Sequence, residues 1–201
     1  MPARTIGIDY FHSYYSSRPL KDWNACGQAA VAAILDYYGL DPFGLQRSVY
    51  DPRDGRYHWR DGEAIDAVRE RFPPDCLGGL CGTRPCQIRD ALVHGGVEAS
   101  VRSAADAEQR DRIWEMVRGN VGDGCPVITI MDRTRLSRKP FVAHWAIVHK
   151  FSGGTVHVAN TRGLETASER DYLEAFRCWY MPREFRNCAI FPAAPGNNRS
   201  S

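Results

Sequence analysis

The sequence lacks any long apolar run. No segment of its 201 residues approaches the roughly 18 consecutive apolar residues that a transmembrane helix requires. Residues 1–17 also contain no apolar core of the length found in signal peptides. We therefore expect a cytoplasmic protein with no membrane partner, with secretion by a leaderless route as the alternative.

Excess charge of either sign is also missing. The formal net charge is +2, and no run of five or more basic residues occurs. Proteins that bind nucleic acids concentrate positive charge on one face or in one segment. We therefore predict no nucleic-acid partner, while the sequence leaves the oligomeric state unknown.

The seven cysteines do not have the even number typical of a disulfide scaffold. Most are expected to be reduced thiols that pack as small apolar side chains. Cys76, Cys81 and Cys86 are spaced five apart, whereas paired zinc ligands are usually separated by about two to four residues. We predict neither a metal nor an organic cofactor, and Cys26 needs a separate explanation.

Hydrophobic periodicity predicts a single α+β domain, with helices first and antiparallel strands afterwards. We expect an irregular lead-in over residues 1–22, the domain over residues 23–192, and a disordered tail over residues 193–201. The predicted helices cover residues 26–38, 61–72, 84–94, 106–118 and 169–176. The predicted strands cover residues 126–131, 144–149, 155–160 and 188–191.

Cys26 lies in the first turn of a helix that is almost free of charge. Asn24 is expected as its N-cap and Gly39 as its C-terminal stop. At a helix start, unpaired N–H groups and the helix dipole stabilise a thiolate and the oxyanion formed when a carbonyl is attacked. Gly27 is expected to leave room for a substrate backbone. The alternative is a buried structural thiol.

His144 begins one predicted strand, and Asn160 ends the strand that follows. The turn at residues 152–154 is expected to bring these two strand ends to one edge of the sheet. A histidine there can accept the proton of Cys26 and be oriented by the Asn160 amide, as in papain-like thiol enzymes. His149 and His157 are the rival bases, although strand alternation points His149 to the opposite face from His144.

The run NACGQAAVAAILDYYG, residues 24–39, resembles the nucleophile helix of the bacteriocin-processing (double-glycine leader) peptidase family. GTRPCQIRDALVHGGVEA, GCPVITI and HWAIVHKFSGGTVHVANT resemble its middle helix, first buried strand and His-to-Asp hairpin, in that order. DYLEAF followed by Trp179 resembles its closing helix. The resemblance covers roughly residues 23–180 and implies a papain-like fold, with the nucleophile helix packed on a C-terminal antiparallel sheet.

The resemblance implies a cysteine peptidase or amidase that hydrolyses a peptide or protein substrate through a thioester, without a cofactor. Its nucleophile falls on Cys26, its base on His144, and its third residue, usually Asp, on Asn160. Two alternatives remain: an acyltransferase- or deamidase-like enzyme with the same triad, and a catalytically degenerate relative that only binds peptides.

One position departs from the family. Its members carry a Gln about six residues before the nucleophile to complete the oxyanion hole, and Leu20 stands there in this sequence. Asn24 is the substitute donor that we favour over Asp22 and Gln28.

Two further features have a structural and a functional interpretation. Trp145 and Trp179 are expected in the core rather than stacked on substrate. The basic segment 132–140 is either a solvated loop or a rim of the active-site cleft that favours carboxylate groups.

Overall fold

The computed structural model describes residues 6–14, 24–76, 82–133, 143–160 and 163–193. The helices are α1 (Cys26–Tyr37), α2 (Asp61–Arg71), α3 (Pro85–His94), α4 (Ala107–Gly122) and α5 (Glu169–Phe176), followed by a 3₁₀ turn at Arg183–Phe185. The strands are β1 (Ile6–Gly7), β2 (Val49–Asp51), β3 (Arg56–His58), β4 (Ala99–Arg102), β5 (Val127–Asp132), β6 (Ala143–Ser152), β7 (Thr155–Asn160), β8 (Gly163–Ser168) and β9 (Ala189–Pro192). The prediction of helices followed by an antiparallel sheet is confirmed.

A seven-stranded antiparallel sheet forms the centre of the domain. Its strands follow the order β4-β9-β5-β6-β7-β8, and β1 pairs with the end of β6. β5 pairs with the first six residues of β6, so β1 occupies the same side of β6 beyond the end of β5. β2 and β3 form a separate hairpin.

Helices cover both faces of this sheet. Side chains alternate along β5, so Ile128 and Ile130 pack with α1, α2 and α3, whereas Val127 and Met131 pack with α4 and α5. β6 divides in the same way, with Trp145 and Ile147 on the α1 face. The domain therefore has three layers, and β5 and β6 are buried on both sides.

α1 is the most deeply buried helix, because its small residues allow the sheet and the neighbouring helices to approach it closely. Residues 27–36 are all buried. Gly39 ends the helix as predicted, with φ +72°, and Leu40 N–H donates to the Leu35 carbonyl at 2.9 Å. The N-cap position is Ala25 and not the predicted Asn24, and Ala25 makes no side-chain cap hydrogen bond.

Several strands were not predicted. β2, β3 and β4 are three or four residues long, too short to show alternation, and β8 carries polar residues that favour no single period. Residues 8–14 of the predicted lead-in have no regular secondary structure, and Phe11 and Tyr14 are buried in the core beside α1. The predicted tail lies outside the described residues beyond Ala193.

Candidate active site

Cys26 is the first residue of α1, and its sulfur lies among backbone N–H groups. The backbone N–H groups of Trp145 on β6, of Gly27 and of Cys26 itself act to lower the pKa of its thiol. Burial raises the pKa of the Cys26 thiol, while these three N–H groups and the Arg133 charge act in the opposite direction. The sulfur therefore lies where the helix start meets β6.

Thr83 holds α1 in this position. The Gln28 amide donates to the Phe72 carbonyl at 2.8 Å and to Thr83 Oγ1 at 2.9 Å. The indole of Trp145 donates to the Thr83 carbonyl at 2.9 Å, which connects the same residue to β6. Thr83 thus joins α1, which carries Cys26, to β6.

Two expectations about the residues next to Cys26 are corrected by these contacts. A Cβ on Gly27 would lie 2.9 Å from the Thr83 Cβ, so the glycine makes room for Thr83 and not for a substrate backbone. Gln28 is 1% exposed and its amide is engaged inside the protein, so it is not available as an oxyanion donor.

His144 is the second residue of β6 and pairs with Met131 of β5. It is 7% exposed and directly precedes Trp145, whose N–H reaches the Cys26 sulfur. Strand alternation directs its side chain to the sheet face opposite Trp145. The His144 backbone is therefore adjacent to the Trp145 contact with Cys26, but alternation places its side chain on the sheet face away from α1. The role of His144 as the base stays a prediction.

The rival histidines lie elsewhere. His149 is five residues further along β6, about 16 Å away at the usual rise of a strand, and its Nδ1 lies 3.4 Å from the Ile8 carbonyl. Burial lowers its pKa to about 4. His157 pairs with Ser152 at 2.6 Å beside the β6–β7 turn. Neither histidine lies near the start of α1.

Asn160 is the last residue of β7. The predicted hairpin is present, since Gly153 and Gly154 adopt positive φ and Ala159 pairs with Ile147 of β6. Asn160 follows Ala159, so β7 ends beside the first half of β6, and its backbone pairs with Gly163. The orienting role of the Asn160 side chain stays a prediction.

The oxyanion donor is not settled by the described residues. Asn24 lies on the turn immediately before α1, and its role as a donor stays a prediction. Leu20 and Asp22 lie outside the described residues.

Arg133 is a candidate site residue that the sequence analysis placed only in a basic segment. It follows β5 directly, is 5% exposed, and its Nη2 lies 3.3 Å from Glu165 of β8. Its charge lowers the pKa of Cys26. The interpretation as a solvated loop is therefore wrong for Arg133. Residues 134–140 lie outside the described residues. The sequence signal that could have identified Arg133 as a site residue was its position directly after a buried strand.

Of the two tryptophans expected in the core, only one is there. Trp145 is 3% exposed, in agreement with the prediction, whereas Trp179 is 60% exposed. Trp179 follows α5 in a turn segment, and its ring contacts that of Tyr180 edge-on. The pattern of the sequence shows no periodicity there that could have distinguished the two cases.

The other described cysteines range from buried to exposed, and Cys125 is partly exposed like Cys26. Cys178 and Cys188 are buried, and burial raises the pKa of both thiols. Cys76 is buried and Cys86 is exposed, while Cys81 lies outside the described residues. Within the described residues, His12, Asp51 and His58 group as possible metal ligands, and sequence reasoning missed them because they come from three separate segments.

A narrow pocket lies behind the candidate nucleophile, between α1 and the sheet. Its volume is about 10 Å³, which holds one water at most. Cys26, the alanines of α1 and Trp145 line it, and Ser13 and Tyr14 of the lead-in close it. The lead-in is therefore part of the structure that supports the candidate site.

Within the described residues, no helix is both long and apolar enough to cross a bilayer.

Three solved structures have a similar fold. The peptidase domain of Streptococcus ComA, a bifunctional ABC transporter involved in a quorum-sensing pathway, aligns with a TM-score of 0.56 at 16% identity over 92% of this chain and 98% of that one. A double-glycine motif protease from an AMS/PCAT transporter, solved with the leader peptide, aligns with a TM-score of 0.53 at 15% identity over 96% and 99%. A putative C39-like peptidase from Bacillus anthracis gives 0.57 at 10% identity over 94% and 98%.

No protein-family model matches the sequence, and no curated protein matches it. The three alignments cover nearly the whole of each chain at low identity, so they establish the fold. The papain-like fold predicted from the sequence is confirmed.

Proposed function

We propose that this chain, which has the fold of double-glycine peptidase domains, is a cysteine peptidase that cleaves a peptide substrate with Cys26 as nucleophile. His144 is the base and Asn160 orients its imidazole. The observation that carries the proposal is the position of Cys26 at the start of α1, where Trp145 of β6 lines the same pocket and its backbone N–H acts to lower the thiol pKa. The N-terminus of α1 therefore lies beside the strand position directly after His144.

The chemistry follows from the surroundings of the sulfur. Burial raises the pKa of the thiol, so Cys26 needs a base to become a nucleophile at neutral pH. In the proposed reaction His144 accepts the thiol proton while the sulfur attacks the peptide carbonyl. The backbone N–H groups at the helix start stabilise the thiolate and then the oxyanion.

The remaining steps return the enzyme to its starting state. His144 gives the proton to the departing amine as the carbon–nitrogen bond breaks, which leaves a thioester on Cys26. His144 then takes a proton from water, and the resulting attack releases the acid product and the thiol. Asn24 is the proposed second oxyanion donor.

Peptides are the proposed substrate class. One solved structure of this fold is a peptidase in complex with its leader peptide. A peptide that carries a double-glycine leader is therefore the first substrate to test.

The test compares the reactivity of two cysteines with substoichiometric iodoacetamide, located by mass spectrometry. Exposure alone predicts that Cys86 is alkylated first, whereas an activated thiolate predicts Cys26. We expect Cys26 to react first. We also expect Cys26→Ala and His144→Ala to lose at least about 10³-fold in cleavage rate.

Matched controls come from the same chain. Cys86→Ala removes the more exposed thiol, and His157→Ala removes a histidine that lies beside the β6–β7 turn. Both controls should cleave at the wild-type rate. If Cys86 is alkylated first and His144→Ala retains cleavage, the assignment is wrong.

The burial that raises the thiol pKa also favours one alternative, a relative that binds peptides without cleaving them. A peptide aldehyde separates the two functions. A reversible covalent adduct on Cys26 supports the enzyme, and binding of the aldehyde without an adduct supports the binding module.

A further inference from the structure

A second cluster of chemically active side chains lies at the opposite end of α1 from Cys26. His12 comes from the lead-in, Asp51 ends β2 and His58 ends β3. One ligand atom from each residue lies within 4.8 Å of the other two. Asp36, ten residues after Cys26 on α1, borders this cluster, so the two sites are about 15 Å apart along the helix.

We propose that His12, Asp51 and His58 bind a Zn²⁺ ion that ties the lead-in to the β2–β3 hairpin. Imidazole nitrogens and a carboxylate oxygen are ligands that zinc prefers. The ion would have a structural role, since it would fasten a segment without regular structure to a two-stranded hairpin outside the main sheet. This site is independent of the proposed peptidase chemistry.

The geometry already resembles one edge of a tetrahedral site. Zinc–ligand bonds of about 2.0–2.2 Å place neighbouring ligand atoms about 3.3–3.6 Å apart. Nδ1 of His12 lies 3.1 Å from Oδ2 of Asp51. The rings of His12 and His58 stack with centroids 3.8 Å apart at 2°, so the half-buried His12 ring must turn about its terminal torsion to aim its nitrogen at the shared centre.

The groups around His58 are those that orient a metal-binding histidine. Its Nδ1 hydrogen-bonds to the Asp36 carboxylate, and Arg47 holds the other oxygen of Asp36 at 3.0 Å. A ligating histidine usually gives its second N–H to such a carboxylate, which fixes the ring and its tautomer. Nε2 of His58 is then the nitrogen left for an ion, and Asp54, whose Oδ2 lies 3.0 Å from it, can be the fourth ligand.

Asp51 is held in a similar way. Arg53 Nε donates to Oδ1 at 2.9 Å and Arg53 Nη2 to Oδ2 at 2.8 Å, and the Tyr10 hydroxyl donates to Oδ2 at 2.5 Å. The bound ion would displace Arg53 from Oδ2 and leave its bond to Oδ1. A pocket of about 260 Å³, lined in part by His12, Asp51 and Trp59, gives an ion access from solvent.

Charge balance gives a reason for a cation here. Asp36, Asp51 and Asp54 surround two histidines, and Arg47 and Arg53 form ion pairs with two of these three carboxylates. Arg56 donates to the backbone carbonyl of Asp36 at 3.1 Å. Asp54 is the third carboxylate, and its Oδ2 lies 3.0 Å from Nε2 of His58, where a bound cation would balance its charge.

The experiment measures Zn²⁺ binding to the chelator-treated full chain by titration calorimetry and elemental analysis. It uses the Cys26→Ala background, so that the catalytic thiol cannot contribute a ligand. We expect one Zn²⁺ per chain and a rise in the thermal midpoint. His12→Gln should weaken Zn²⁺ binding more than about 100-fold, and Asp36→Asn about 10–100-fold, as outer groups do. His94→Gln, which removes an exposed histidine, should bind as the background does.

Co²⁺ provides a readout that identifies the ligands. Visible d–d absorption of tetrahedral Co²⁺ without a thiolate charge-transfer band supports the site. Absence of stoichiometric Zn²⁺, unchanged binding in His12→Gln, or a thiolate band overturns it. If His12→Gln does not fold by circular dichroism, X-ray absorption of the zinc-loaded background chain decides: nitrogen and oxygen neighbours support the site, and sulfur overturns it.

Discussion

At the scale of single residues, backbone N–H groups distinguish Cys26 from Cys178 and Cys188, whose thiol pKa is raised by burial and is not lowered by backbone N–H groups. Cys86 is exposed on α3. The sequence predicted only that Cys26 lies at the start of a helix, because residue composition marks where a helix begins. The contribution of the Trp145 N–H depends on how β6 packs beside the start of α1, and no local sequence pattern predicts that packing.

The corrected expectations for Gly27 and Gln28 share one cause. Gly27 was expected to face the substrate, and Gln28 was an alternative oxyanion donor to Asn24, but Thr83, which is distant in sequence, contacts both. A single sequence gives the type of a residue and its helical face. It does not give the partner that a different segment brings to that face.

His149 should make the stability of the protein depend on pH. Its ring stacks on Phe11 with centroids 5.6 Å apart, Nδ1 faces the Ile8 carbonyl, and Lys150 and His157 are the nearby titratable groups. Burial lowers the pKa of His149 to about 4, below the unfolded value of about 6.5. The unfolded chain therefore binds the proton first, and stability falls as pH decreases from about 6.5 to 4, by about 3 kcal/mol in total.

The free energy of urea unfolding at several pH values between 7.5 and 4.5 checks this expectation. His149→Gln cannot take up the proton, so its stability should fall less steeply over that range than the wild-type stability. His94→Gln, on the surface, should keep the wild-type slope. Equal slopes for His149→Gln and the wild type would contradict the assignment.

At the scale of elements, the long helices and the buried strands could be predicted, and the short or polar strands could not. α1, α3 and α5 begin and end within two residues of the prediction: Gly39 follows the end of α1, Pro85 and Gly95 bound α3, and Ser168 caps the start of α5. α4 runs to Gly122, one turn past the predicted stop. β8 forms because all six of its residues pair with β7. The sequence of β8 alone does not indicate this pairing.

Two glycines inside helices should respond oppositely to the same substitution. Gly119 of α4 is exposed, and a Cβ there meets nothing within 4 Å. Gly119→Ala should therefore stabilise the protein by about 1 kcal/mol through helix propensity. Gly27→Ala would place its Cβ 2.9 Å from Thr83 and 3.2 Å from Ile88. It should destabilise the protein by about 1–3 kcal/mol.

Thermal unfolding followed by circular dichroism measures both changes. For a chain of this length, 1 kcal/mol shifts the midpoint by about 2–4 °C. Gly27→Ala should also reduce the iodoacetamide reactivity of Cys26, because pushing Thr83 away changes how α1 meets β6, whereas Gly119→Ala should leave it unchanged. A stabilised Gly27→Ala variant would show that Thr83 does not constrain the start of α1.

At the scale of the whole molecule, the central sheet lies between two hydrophobic cores and contributes side chains to both. One core contains the helices that carry and support Cys26, and the other contains α4 and α5. Trp145 and Ile147 of β6 face the first core, whereas Ala146 and Val148 face the second. Because β6 also carries His144, loss of packing on either face disturbs the strand that holds the candidate base.

A shared sheet predicts that the two cores unfold together. Leu92 of α3 and Phe176 of α5 are both completely buried, on opposite faces. Leu92→Ala should lower the free energy of unfolding by about 2–5 kcal/mol and Phe176→Ala by about 3–5 kcal/mol. Hydrogen exchange measured by mass spectrometry along a urea series should show peptides from both faces losing protection at one midpoint in each variant. If Phe176→Ala releases α4 and α5 while α1 and α3 stay protected to a higher urea concentration, the two cores are separate folding units and β6 does not couple them.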